Sequence, residues 1–371
     1  MNRNKKTVLV AMSGGVDSSV SAILLHHQGY RVIGATMKLW DYDQVGGNIS
    51  GDRGCCSIES INDARKVCAK YDLPHYIFNF SQEFYQSVVM NFVDEYISGR
   101  TPNPCIRCNT FIKWNIFQQK AQEIGADFVA TGHYARIHYN KESERYELLK
   151  GKDTIKDQSY ALWGLSQVNL SNTIFPLGEL QKKEVRSLAR KYRLSTAEKR
   201  ESQEICFIPD NNYHRLLNIM QPDLEKSVAG GNIVDDRGKI IGKHRGYPFY
   251  TIGQRRGLGG GNTEPKYVVN IDAARNEIMI GDKESLAGIS FLIKDVNLIS
   301  RGEINKPSEY KIKIRYNDYG HPGVVYPAVN SKIKIRFEQP QRAITPGQSA
   351  VFYDRDTIVG GGVIERQLDE G

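Results

Sequence analysis

The chain has 371 residues, 40% of them hydrophobic and 25% charged, with 50 Lys and Arg against 42 Asp and Glu for a formal net charge of +8. That length gives ample core for two or three domains. No apolar run is long enough to span a bilayer and MNRNKKTVLV lacks a signal-peptide segment, so a cytoplasmic protein with no membrane partner is expected.

Thr7–Ala11 is short, apolar and β-branched, the pattern of a buried parallel strand. Val20, Ile23, Leu24 and His27 recur at helical spacing and predict a helix over 18–28. Between them lies SGGVDSS. Gly14 and Gly15 permit a tight turn with bare N–H groups. Ser13, Ser18 and Ser19 add hydroxyls and the helix start adds positive potential, which together suit phosphate. The lysine of GxxxxGK[ST] is missing, as is GxGxxG. The plain alternative is a serine-rich turn that binds nothing. The stretch resembles the SGG-x-DS loop of the ATP pyrophosphatases, which holds the β,γ-pyrophosphate while the α-phosphate passes to a carbonyl oxygen.

Strands are expected next over 31–37, 75–80 and 127–131, alternating with helices over 57–71, 83–98, 111–124 and 183–192. That alternation predicts a doubly wound parallel α/β sheet with ligands outside the carboxyl ends of its strands. Residues 135–150 read as an inserted hairpin. Beyond Pro209 glycines become frequent, and YKIKIRY and KIKIRF alternate apolar with basic residues, as half-exposed antiparallel strands do. The expected domains are 1–210, a small central domain over 211–287, and a C-terminal antiparallel β-barrel (or sandwich) over 288–371.

Six cysteines at irregular spacing argue against a disulfide scaffold and for thiol or metal chemistry. GRTPNPCIRCNTFIKW places Cys105 and Cys108 in a loop fixed by Pro102 and Pro104 ahead of a helix, with Arg107 adjacent. KRESQEICFIP places Cys206 after a basic run. Both settings favour a thiolate. Cys55 and Cys56 read as ordinary thiols, and Cys68, on an apolar helix face, as core. The basic residues cluster. Lys182, Lys183, Arg186, Arg190, Lys191, Arg193, Lys199 and Arg200 face two glutamates, and KIIGKHRGYPFYTIGQRR holds no acid. Both suit a polyanion, although a solvated helix face explains the first nearly as well.

SGGVDSS, TPNP-x-x-x-CN, TGHYAR, KDQSYAL, ESQEICFI and YTIGQRRGLG occur in an order that resembles the tRNA-specific 2-thiouridylases, over nearly the whole chain. The resemblance implies an adenine nucleotide α-hydrolase-like catalytic domain. It also implies ATP-dependent, Mg²⁺-assisted thiolation of the wobble uridine in the tRNA anticodon. Residue by residue, Ala11, Met12, Ser13, Gly14, Gly15, Val16, Asp17 and Ser18 match the pyrophosphate loop, and Met37 and Gly132 the adenosine contacts. Asn103, Pro104 and Cys105 match the target-base segment, Cys108 the catalytic thiol and Cys206 the persulfide carrier. Lys156, Asp157, Gln158, His133, Arg315, Tyr316 and Gln348 match tRNA contacts. The implied sulfur source is a persulfide-relay protein or cysteine desulfurase, and the implied end state a Cys108–Cys206 disulfide that is then reduced.

One departure stands out. Many members carry aspartate where this chain has Cys105, and a thiol titrates roughly 4 to 5 units higher than a carboxyl. The substitution opens a second route to the same product, through an Fe–S cluster on Cys105, Cys108 and Cys206. Two further readings remain at this stage: an ATP pyrophosphatase with a nitrogen nucleophile, and a non-catalytic tRNA-binding protein that retains the loop.

Overall fold

The computed structural model describes residues 5–41, 57–199, 205–258 and 265–368. Cys55, Cys56, Arg200 and the end of the TIGQRRGLGGG loop lie outside them. The chain divides into two compact units. The first holds 1–88, 105–212 and 356–358, and the second 89–104, 213–355 and 359–371.

The first unit is built on β1 (Thr7–Ala11), β2 (Arg31–Lys38), β3 (His75–Asn79) and β4 (Phe128–Ala130), with the hairpin β5 (Ala135–Asn140) and β6 (Arg145–Lys150) and the two-residue β7 (Thr173–Ile174). Its main sheet runs β3-β2-β1-β4-β7, parallel throughout. The expected strands are all present, and β7 is the one the sequence did not reveal. Around the sheet lie α1 (Val16–His27), α2 (Ile58–Lys70), the short α3 (Ser81–Phe84), α6 (Phe117–Glu123), α7 (Gln167–Ser171) and α8 (Lys182–Lys191). In chain order α4 (Met90–Ile97) and α5 (Pro104–Arg107) fall between α3 and α6.

Side chains alternate across a strand, and β1 shows it. Val8, Val10 and Met12 enter one core with Val20, Ala64, Val67, Leu25 and Val185 of the helices, while Leu9 is equally buried on the other face. A sheet covered on both sides needs such a continuous apolar run. The inserted hairpin is as expected, and Thr357 and Ile358 pair with Leu149 and Leu148 to extend it.

The second unit contains α4, α9 (Tyr213–Met220), α10 (Leu224–Val228) and two sheets. A four-stranded sheet, ordered β10-β11-β8-β9, uses β8 (Asn232–Val234), β9 (Ile240–Lys243), β10 (Tyr267–Asp272) and β11 (Glu277–Gly281). The other is a closed barrel of β12 (Ala287–Leu298), β13 (Ser308–Lys313), β14 (His321–Val325), β15 (Ile333–Arg342), β16 (Ser349–Asp354) and β17 (Thr357–Leu368). Its order is β12-β15-β14-β13-β16-β17, and β17 pairs back onto β12. Closure leaves no open edge. The inward residues of the alternating strands, Tyr310, Ile312, Ile333, Ile335 and Phe337, meet Phe291, Phe352 and Ile364 in the barrel core.

Gly34 in β2 shows how tightly the first core is filled. A Cβ there would lie 2.6 Å from Cys68 Sγ and 2.8 Å from Met12 Sδ. Replacing Gly34 by alanine is therefore expected to destabilise the first unit by about 1–3 kcal/mol through overpacking, read as a lowered denaturation midpoint with an unchanged slope.

Candidate active site

After Ala11 the chain leaves the sheet, with Met12 N–H donating to Ala35 O at 2.8 Å. Gly14 adopts φ +69°, and a Cβ on it would stand 2.1 Å from Ser60 O on α2. Only bare backbone fits there. The serines close the turn internally. Ser18 Oγ and Ser19 Oγ donate to Gly15 O at 3.2 and 2.8 Å, and Ser13 N–H donates to Ser18 Oγ. The hydroxyls expected to face a ligand thus chiefly hold the loop. Anion capacity rests on the N–H groups of the first turn of α1, which have no intrahelical acceptor.

Asp17, in that first turn, is held from two distant points. Both of its oxygens accept from Lys182 Nζ, at 2.8 and 2.7 Å, and Oδ1 also accepts from Tyr134 Oη at 2.8 Å. Lys182 and Tyr134 were not recognised as site residues in the sequence. Gly132 lies against the same turn, where a Cβ would come within 2.8 Å of Ser18 N. Gly132 and the loop residues 11–18 are therefore brought together. Met37, near the end of β2, pairs in register with Phe78.

The tripeptide 156–158 supports this turn from outside. Gln158 Oε1 accepts from Tyr134 N–H, and Gln158 N–H donates to Tyr134 O. Asp157 accepts from the N–H groups of Gly151 and Ser159 and from Ser159 Oγ. The basic run after residue 181 is also largely engaged within the unit. Lys199 reaches Asp63 at 2.7 Å, Arg190 reaches Glu198, and Arg186 donates to Ala197 O.

The cysteine segment departs from expectation. Pro104 does not fix a loop but begins a helix, and Cys108 lies inside the helical stretch 104–123 instead of ahead of it. Proline suits a first helical position, where its missing N–H has no role. From Cys108 to Ile116 the helix is in π register, a form frequent at functional sites. Cys108 is buried, Cys105 exposed, and Cys206 half-buried. All three are thiols, with no disulfide among the described cysteines. Beside Cys206, Phe207 packs edge-on against Phe84 of α3, and α3 packs against 108–116. Among the described residues no three Cys, His, Asp or Glu side chains converge as a metal site, so Cys105, Cys108 and Cys206 do not assemble a cluster ligand set. Cys68 is core as expected, with burial pushing its thiol up to about 12.

His133 follows Gly132. Its ring lies between Trp114 and Phe175, and its Nδ1 is 2.6 Å from Thr131 Oγ1. Burial, and then the charge of Lys113, hold it well below the usual imidazole range.

In the second unit Gln348 meets residues 101–102. Its Nε2 donates to Thr101 O and Pro102 O at 3.1 and 3.0 Å, just before Asn103 and Pro104, and Thr101 N–H donates to Pro346 O. Gly347, at φ +90°, would place a Cβ 2.6 Å from Thr101 O. Arg315 and Tyr316 are exposed, and Arg315 donates to Arg342 O. In and beside the four-stranded sheet, Lys239, Lys243 of β9, and Arg255 and Arg256 in the stretch before β10 are exposed, as are Ile240 and Ile241 of β9.

The His133 setting has a pH consequence. An unfolded histidine takes up its proton near pH 6.5, whereas folded His133 resists protonation to a lower pH. Between those limits the unfolded state binds more protons, so stability falls as pH drops below about 6.5. His133→Gln is expected to flatten that decline, as measured by denaturation midpoints across the acidic range.

Three family models cover the chain: a tRNA methyl transferase HUP domain over 6–210, a tRNA methyl transferase PRC-barrel domain over 219–282 and an aminomethyltransferase beta-barrel domain over 289–364. The chain is 48% identical to the tRNA-specific 2-thiouridylase MnmA of Salinibacter ruber, across 97% of this chain and 94% of that protein. It is 47% identical to the protein of the same name from Carboxydothermus hydrogenoformans, across 98% and 99%. By domain order and by similarity over nearly its whole length, the chain belongs to the tRNA-specific 2-thiouridylase family.

Proposed function

We propose that the protein catalyses ATP-dependent 2-thiolation of the wobble uridine of tRNA. The observation that carries this reading is the rigid turn at 13–18, closed by Gly132 and the Asp17–Lys182 pair, in the unit that also holds Cys108 and Cys206. Uracil C2 is a poor electrophile because its oxygen leaves badly. In the proposed first step that oxygen attacks the α-phosphorus of ATP and expels pyrophosphate, whose charge the first turn of α1 receives. Mg²⁺ enters with the triphosphate, as a cation that keeps its waters and needs few protein carboxylates.

The second step delivers sulfur. A persulfide on Cys206, loaded by an upstream sulfane-sulfur donor, attacks C2 through its terminal sulfur, and AMP leaves. Cys108 thiolate then attacks Cys206 Sγ. The S–S bond breaks, its electron pair stays with the new thiocarbonyl sulfur, and a Cys108–Cys206 disulfide forms. In the variant order Cys108 attacks the persulfide first and releases sulfide as the nucleophile. Either way a thiol reductant restores both cysteines. A flipped base is needed, and an anticodon loop splays one at little cost. Asn103 and Pro104 would lie against that base, and the exposed cations of β9, Arg255, Arg256 and Arg315 would grip phosphates. Lys156, Tyr316, Gln348 and His133 would complete the tRNA contacts.

Cys206→Ser is expected to abolish single-turnover thiolation, measured by nucleoside mass spectrometry, while tRNA affinity stays within about twofold. Full sulfur transfer by that variant would remove Cys206 as carrier. Release of AMP and pyrophosphate without tRNA would instead favour a nitrogen nucleophile. Raising salt from about 50 to 200 mM should weaken tRNA binding by orders of magnitude and ATP binding far less.

A further inference from the structure

The proposed chemistry needs Cys108 as a thiolate, which a nearby positive charge favours. The segment from Thr101 to Gln122 contains no acidic residue, but it holds Arg107, Lys113 and Lys120. Lys120 is paired with Glu123 at 2.6 Å. The Arg107 guanidinium donates through Nε to Ser87 O and stacks on the Phe111 ring at 4.4 Å. Lys113 is different. It is half-buried, its ammonium donates to Asn109 Oδ1 at 2.9 Å, and among the described residues no carboxylate pairs with it.

The helix register decides where that charge lies. Lys113 is the fifth residue after Cys108. In an α-helix five residues advance the side chain by about 140° beyond a full turn, toward the opposite side. In π register the backbone hydrogen bonds join residues five apart, which brings residue i+5 much nearer the face of residue i than an α-helix does, and 108–116 is π throughout. Lys113 therefore shares the Cys108 face. Its hydrogen bond to Asn109 draws the ammonium back along the helix, toward the residue that follows Cys108. Asn109 is itself buried and fixed, because its Nδ2 donates to Ala161 O at 2.8 Å. The amide oxygen is thereby left facing Lys113.

The remaining titratable groups around the segment do not compete for that charge. His133, across from Lys113, is held neutral by burial and by that same ammonium. Glu83 on α3 is exposed, Glu123 on α6 is taken by Lys120, and Tyr160, on the turn 159–162 packed against the segment, is buried. Asp157, just before that turn, accepts from Gly151 and Ser159. Cys105, three residues before Cys108, is a thiol and not a carboxylate.

We propose that Lys113 is a positioning residue for sulfur transfer, brought onto the Cys108 face by the π register and held there by Asn109 to keep Cys108 reactive as a thiolate. The inference rests on the reading of Cys108 as the attacking thiol. Its test does not use the thiolation assay.

The full-length protein, without ATP or tRNA, is alkylated with iodoacetamide across a pH series, and Cys108 is followed by peptide mass spectrometry. Cleavage after Arg107 separates it from Cys105. Lys113→Gln keeps a donor for Asn109 but removes the charge. It is expected to move the midpoint of Cys108 alkylation up by about one pH unit, a loss of about tenfold in rate below the midpoint. Lys113→Arg should stay near the wild type, and Lys113→Met repeats the comparison should the glutamine variant not fold. A midpoint unchanged in the charge-free variants overturns the proposal, as does an equal shift in Lys113→Arg, which would mean packing and not charge. If wild-type protein fails to thiolate tRNA while these shifts appear, it is the functional reading that falls and not this one.

Discussion

The first unit depends on one ion pair, formed across 165 residues of sequence by Lys182 and Asp17. Each partner is at a helix start: Asp17 is in the first turn of α1, where the dipole favours an anion, and Lys182 is the first residue of α8, where the dipole opposes a cation. Bringing the two starts together lets the carboxylate offset the unfavourable end. Glu184 adds to this, since its carboxylate accepts from Gln181 N–H in a capping box. The pair is mostly buried, so screening is weak, and removing one partner leaves a charge that the site must otherwise solvate. The turn that would receive pyrophosphate is thereby rigid before any ligand arrives, which is the condition for electrostatic preorganisation.

The second unit uses a different device for a similar end. Thr101 and Pro102 are joined to Pro346 and Gln348 by three hydrogen bonds, and Gly347 allows the approach because it lacks a Cβ. Residues 101–102 are thus tied to a closed barrel whose own strands have no free edge. In the same unit Arg100 is bidentate on Glu95 of α4, which steadies the chain just before Thr101.

What the sequence made legible was local. The strand, paired glycines and helix start at 7–27 are contiguous, so their meaning could be read without a fold. The strands of the parallel sheet and the basic-apolar alternation of the barrel followed from periodicity in the same way. What escaped was set by distance or by competing local rules. Nothing in the spacing links Lys182 or Tyr134 to Asp17. The basic run after residue 181 reads about equally as a polyanion surface or a solvated helix face, and spacing does not show that Lys182, Arg186, Arg190 and Lys199 have partners inside the unit. At 102–104 two prolines read as a loop, although proline at a first helical position is favourable, and the helix begins at Pro104. β7 is two residues long, too short for any periodic signal.

The π register at 108–116 has no sequence signature at all, and it is supported by tertiary contacts. Asn169 Nδ2 donates to Trp114 O, a carbonyl near the end of the segment, and to Gln118 Oε1. Trp114 Nε1 donates to Thr173 Oγ1 on β7, and Thr173 Oγ1 donates to Asn169 O. A π turn is intrinsically less favourable than an α turn, so a stretch of this length persists only where its surroundings over-determine it. Here those surroundings are the same side chains that anchor β7 to the sheet and frame His133. The helix that carries Cys108 and the strand next to β4 are therefore parts of one network. If Lys113 acts as proposed, the register that Asn169 and Thr173 support is also what brings it toward the Cys108 face, which ties the shape of the helix to the charge it presents.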